Sequence, residues 1–175
     1  GLVQEAKCAF GAAVQFRPDL PDPWAAGANA AVAFDDHAWA AEWWRRACDA
    51  QCSPGSLINP REHLLRYPIL LSQSLAAQAR KLLDPMGLGS HPSPGHLMLA
   101  LDLLRQAWTE AQKAAENPAI GQDALEALSF AQSAKNEYEA HKGAIDLYSM
   151  WDYLVRNDET AKAAALVKLR PWTAE

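Results

Sequence analysis

Five histidines and three cysteines are the residues of this 175-residue chain best suited to chemistry, and their spacing argues against it. A zinc or di-iron site built on helices needs ligands one turn apart. His37, His63, His91, His96 and His141 show no such i, i+4 pairing with another ligand type. His91 and His96 flank Pro-Ser-Pro-Gly and read as polar loop residues. Cys48 and Cys52 lie four apart near a helix end, on one side, where two small buried hydrophobes account for them better than a redox or metal pair. The carboxylate pairs Asp35/Asp36 and Asp158/Glu159 sit at helix starts, and capping of free backbone N–H groups explains them. Gly87-Leu88-Gly89 lacks the preceding strand and the directly following helix that a phosphate-cradling loop requires. No nucleophile elbow or dinucleotide fingerprint occurs. The expectation is a chain that is not an enzyme, with no cofactor, no metal and no catalytic residues.

Composition bounds the elements that carry these residues. Half of the residues are hydrophobic and 21% are charged, enough for one domain over residues 1–175 with a sizeable core. β-branched residues are few and no segment alternates over six residues, so the fold class is all-α. The net charge of −5, with acidic and basic residues interspersed, argues against nucleic acid or an anionic membrane as the main partner. No apolar run reaches the ~18 residues that crossing a bilayer needs, so membrane insertion is not expected. An odd number of cysteines without metal spacing points to a reducing compartment, the cytoplasm or an organelle matrix.

The elements themselves repeat. Ala6, Phe10, Ala13 and Pro18 recur 34 residues later as Ala40, Trp44, Ala47 and Cys52, with Pro54 two residues further on. Each set places small, large and small residues on one helical stripe and then stops the helix, the pattern of helices that nest closely against their own kind. Pro21 and Pro23 surround Asp22, an N-cap for a helix starting near Trp24. Asp35 and Asp36 break that helix and cap the next at His37. Helices this short are unstable alone, so Trp24, Phe34, Trp44 and the intervening alanines are expected to form a shared seam.

Residues 21–54, PDPWAAGANAAVAFDDHAWAAEWWRRACDAQCSP, resemble a unit of the tetratricopeptide repeat family. Trp24 matches the family's fourth position, Asn29 the ninth, Ala40 the twentieth, Trp44 the twenty-fourth and Ala47 the twenty-seventh. Gly27 and Ala28 depart from the usual leucine–glycine pair, Ala31 replaces a common tyrosine, and Cys52 a common proline. EAKCAFGAAVQFRP fits the second helix of the preceding unit, so the resemblance covers about residues 3–54, one and a half units. It implies antiparallel helical hairpins stacked as a right-handed α-solenoid that binds a partner protein or peptide. The asparagine matching Asn29 often holds the backbone of an extended peptide in that family. The basic residues with which some relatives clamp a terminal carboxylate are absent here. Trp39 and Trp43, one turn apart with Arg46 beyond, stand where the family usually has polar outer-face residues. They are expected to form an exposed contact surface. The start at Gly1-Leu2, inside a half-unit, is expected of a piece cut from a longer array.

Beyond residue 55 the pattern changes to longer, diverged helical hairpins. A helix is predicted over 60–83, kinked or split at Pro68, then a loop over 84–95. Residues 96–116 carry a stripe of Leu97, Leu101, Leu104, Trp108, Ala111 and Ala115. A helix over about 122–141 carries Leu125, Leu128, Phe130 and Tyr138. Gly143 separates it from a further stripe running from Ala144 to Val155, and Asp158 caps a last helix to about Leu169. Taken together these features predict a protein-binding or scaffold module. The alternatives are a docking or regulatory segment of a longer enzyme, and a structural subunit of a large complex.

Overall fold

Helix starts and stops follow local chemistry closely. In the computed structural model, which describes residues 1–50, 57–83, 94–118 and 124–156, α1 spans Leu2–Phe16, α2 Pro21–Ala33, α3 His37–Asp49, α4 Pro60–Leu83, α5 Pro94–Ala115 and α6 Ala124–Arg156. No strand occurs among the described residues. The fold is all-α.

Pro21 occupies the first position of α2, where its missing N–H is no loss, and Leu20 is the extended residue before it. Asp22 is therefore in the first turn and not the cap, and its carboxylate accepts the backbone N–H of Leu57 at 3.0 Å. At the other end Asp35 adopts φ 59°, the left-handed conformation that glycine normally supplies. The Asp35 N–H bonds the carbonyl of Val32 and the Asp36 N–H that of Ala31, both at 2.9 Å, which closes α2 as a Schellman motif. Asp36 then caps α3, its Oδ1 accepting the Trp39 N–H at 3.1 Å. Thus Asp35 ends one helix and Asp36 begins the next, as the sequence predicts.

Several expected boundaries move. Pro68 lies inside α4, which continues through it unsplit. α6 runs on through Gly143, where a break is predicted, because an open glycine lowers helix propensity without forbidding the helix. The 84–95 loop, apart from its last two residues, and the helix after Asp158 lie outside the described residues, as do His91, Cys52 and Pro54. The chain divides into two compact units, Gly1–Lys135 and Asn136–Glu175. The described part of the second, 136–156, is the continuation of α6.

The core of the first unit is built from alanine contacts between larger side chains. Ala28, Ala31, Ala40 and Ala47 are fully buried where α2 and α3 meet their neighbours. Trp44, 1% exposed, lies with its ring 5.2 Å from Tyr67 of α4. Along α5, Ala100, Leu104, Ala107 and Ala111 are fully buried. Leu104 and Ala111 of the predicted stripe are thus in the core, whereas Leu97, Leu101, Trp108 and Ala115 lie on its half-buried edge and Ala100 and Ala107 take the places beside them. Ala127, Ala131 and Ala134 bury the start of α6, while Leu125 and Leu128, expected on its stripe, face out. Phe34, expected in the seam, is also exposed, because the Schellman turn carries it past the end of the α2 packing face.

Candidate functional site

Trp43 organises the region that the sequence nominates. Its ring meets Trp24 at 5.2 Å, Trp39 at 5.6 Å and Phe10 at 6.3 Å between centroids, each edge to face. These are the separations and angles that aromatic quadrupoles prefer. Gly27 makes the arrangement possible. A Cβ at that position would stand well inside 3.0 Å of the Trp43 benzo ring, so the α2 backbone itself forms one wall of the indole site. Gly27 is thus the complement of the tryptophan opposite.

The expected exposed tryptophan pair is therefore corrected. Trp39 is 6% exposed and Trp43 9%, and both belong to the core. α3 buries two adjacent stripes, Ala40/Trp44/Ala47 and Trp39/Trp43, because α1 as well as α2 and α4 packs near it. Only Ala38, Glu42, Arg45 and Asp49, with Arg46 beside them, face solvent. Arg46 is exposed and stands 6.0 Å over the Trp24 ring. Asn29 is exposed on α2. Five residues separate it from Trp24, roughly 140° around the helix, so the structure does not bring Asn29 and Arg46 onto one surface. The equivalence expected of Phe10 and Trp44 also fails: Trp44 is enclosed, whereas Phe10 is half-buried against Trp43.

A charged cluster surrounds the α2–α3 turn and ties distant elements to it. Lys7 of α1 donates to Asp36 Oδ2 at 2.8 Å and lies 5.0 Å over the Trp39 ring. Lys81, near the end of α4, donates to the Asp35 carbonyl at 2.5 Å and pairs with its carboxylate. His37 Nε2 is 3.0 Å from Asp35 Oδ1. Hydrogen bonding to Lys7 holds the Asp36 carboxyl below the usual carboxylate range against the opposing effect of burial. Lys81 does the same for Asp35. One turn residue thus anchors α1 and the other anchors α4.

His63 has a structural role that spacing alone does not reveal. It is buried, and its Nε2 lies 2.8 Å from the carbonyl of Ala47 in the last turn of α3, where carbonyls lack intrahelical partners. Its ring packs edge-on to Tyr67. The only signal in the sequence is its place four residues after Asn59-Pro60, which does not identify its acceptor. Cys48 is largely buried, and burial, with Glu110 and Asp49 nearby, pushes its thiol up to about 12, so little of the reactive thiolate is present near neutral pH. Among the described residues no group of three or more His, Cys, Asp or Glu side chains is placed to hold a metal ion. No helix among them is long and apolar enough to cross a membrane.

The open apolar surface lies elsewhere. On α1, Leu2 is 75% and Phe16 84% exposed, with Ala9, Ala12 and Ala13 exposed between them. Glu5 is the one charge within this arc. No family model matches the chain, and neither a curated protein nor a solved structure matches it.

Proposed function

We propose that the chain is a protein-binding module, an array of helical hairpins in the right-handed tetratricopeptide style that takes a protein or peptide partner and is not an enzyme. The observation that carries this reading is the uncovered arc of α1 from Leu2 to Phe16. Water-facing apolar area of that kind is stabilising only when something covers it, and it commonly marks a contact with another chain. Asn29, on the exposed side of α2 among the small residues Ala26 and Ala33, is compatible with an extended peptide lying across that helix. Arg46 over Trp24 supplies a cationic edge on the opposite side.

The reading is tested by affinity capture with the protein carrying Phe16→Lys, followed by identification of bound proteins. Loss of a partner at unchanged helical content supports the α1 arc. A partner lost on Asn29→Ala and kept by Phe16→Lys moves the contact to α2. Capture unaffected by either substitution removes the proposal. A second reading, a structural subunit in a larger assembly, draws on Met98, Leu99, Leu125 and Leu128, which are also exposed. It predicts that substitutions on α5 and α6 lower solubility or assembly as strongly as those on α1.

A further inference from the structure

α1 packs along α2, and Val14 is its one buried residue. Ala12 and Phe16 stand two residues to either side of Val14, about 200° around the helix. They therefore lie on the face turned away from α2, where both are exposed. Leu2, Glu5, Ala9, Ala12 and Phe16 continue that face at alternating steps of three and four residues. Such steps draw one straight line along a helix, the spacing by which two helices pair through a seam. The line is large at its ends and small between them. Leu2 is 75% and Phe16 84% exposed, with Ala9 and Ala12 in the middle and Ala13 alongside.

We propose that the occupant of this face is a second copy of the chain, related by a two-fold axis through Ala9 so that the two α1 helices run antiparallel. This rests on the reading of the α1 arc as a protein contact and names its partner. A two-fold pair uses the same patch on both copies, so the patch must match itself. This one does. Residues equidistant from Ala9 meet across the axis: Leu2 of each copy covers Phe16 of the other, and Ala9 meets Ala9. Alanine at the centre lets the helix axes close to about 8 Å, the near end of helix-packing distances, which brings the large end residues into contact. Charge selects the direction. A parallel pair would stack Glu5 on Glu5, like charges facing each other in an apolar seam. The antiparallel pair sets each Glu5 opposite Ala13, about 12 Å along the axis from its counterpart. The seam is about 21 Å long. An interface of four helical turns falls below the ~1,200 Å² of stable complexes, so the dimer is reversible and half-formed at about 0.1 mM. The net charge of −5 on each copy opposes the approach, so salt tightens the pair.

Analytical ultracentrifugation of the purified chain tests this. Between about 5 and 500 μM the average mass rises from 19.1 kDa towards twice that value, and it rises further at high salt. Phe16→Lys and Leu2→Lys, both at exposed sites and so without effect on helical content, each weaken the dimer at least about tenfold. Ala13→Lys does the reverse. It sets an ammonium opposite Glu5 of the other copy and tightens the dimer about three- to tenfold, a gain that disappears when Glu5→Gln is added. Within one helix these two positions are more than two turns apart and do not pair, so the gain reports the antiparallel contact alone. A chain that stays monomeric over the whole range overturns the second copy. The capture experiment with Phe16→Lys then decides separately whether the arc meets a different protein. A dimer indifferent to Phe16→Lys, or weakened by Ala13→Lys, overturns the antiparallel α1 seam.

Discussion

Two glycines separate the firm part of the molecule from the loose part. Gly27 in α2 is in contact with Trp43, and there is no room for even one methyl group. At Gly11 in α1 the place that a Cβ would take is open. The first glycine gives up helix propensity for a fit, joining α2 and α3 through the largest side chain available. The second weakens its helix without any such fit. The same contrast runs through the rest of each region. The α2–α3 pair is fixed by a Schellman turn, an Asp36 cap and enclosed tryptophans. α1 packs along α2, buries one valine, and reaches α3 only through a half-buried phenyl ring and a partly hydrated ion pair. Packing against neighbours, more than helix propensity, decides which helix is secure.

The largest effects are expected inside the α2–α3 pair. Trp44→Ala should destabilise by about 3–5 kcal/mol, as should Trp43→Ala, because each opens a large cavity in alanine-lined surroundings that cannot collapse to fill it. Chemical denaturation reads this directly, and a loss under about 1 kcal/mol at Trp43 would place that ring outside the core. Trp44→Phe should cost far less, about 1.5 kcal/mol or below. Trp44 Nε1 is buried with no hydrogen-bond partner among the described residues, so the smaller ring also removes a polar group whose burial is unfavourable.

Acid should loosen α1 before it unfolds the pair. Asp36 faces Lys7 from α1, with Lys81 of α4 and the neighbouring Asp35 and His37 around the turn. Its folded pKa is depressed, so its contribution is complete above the unfolded carboxylate value of about 3.9 and is lost as pH falls through the lower folded value. Between those limits tryptophan emission should shift as Trp39 and Trp43 gain water, while helical signal falls only slightly. Asp36→Asn should remove its share of the shift, and an unaltered titration would show that the Lys7–Asp36 pair does not hold α1. A smaller contrast concerns the two thiols. Cys8 is exposed on α1, and Cys48, with its thiol pushed up to about 12, should be alkylated far more slowly at pH 8 in the folded chain. Similar rates at the two sites by peptide mapping would mean that Cys48 is not enclosed.

What the sequence reveals divides along the same line. Helix punctuation is local, so Pro21, Asp35 and Asp36 disclose the ends of α2 and α3 directly. The burial of Trp39 and Trp43 is not local. It depends on Phe10 and Lys7 of α1 reaching across from 29 to 33 residues away and on the α2 backbone at Gly27 lying against Trp43. Gly27 carries the missed signal: a glycine inside a helix packed against one with three tryptophans leaves room for an aromatic ring on its backbone. The α6 stripe is misread for a related reason. Its leucines invite the core face, but close packing with Ala114 and Ile69 selects Ala127. Exposure of Asn29 and Arg46 follows from helical phase, but the 140° between α2 faces appears only once Trp24 is seen to share the Arg46 side.

The contrast between the two glycines is tested most directly by measuring the stability of Gly27→Ala and Gly11→Ala side by side in denaturant. At Gly27 the added methyl group must displace the Trp43 ring or the α2 backbone, and a loss of about 2–3 kcal/mol is expected. At Gly11 the same methyl group meets nothing and restores helix propensity, so stability should rise by up to about 1 kcal/mol or stay level if α1 opens before the global transition. Opposite signs support a locked α2–α3 pair carrying a loosely seated α1. A Gly27→Ala chain as stable as the wild type, or a Gly11→Ala chain destabilised as much as Gly27→Ala, would contradict it.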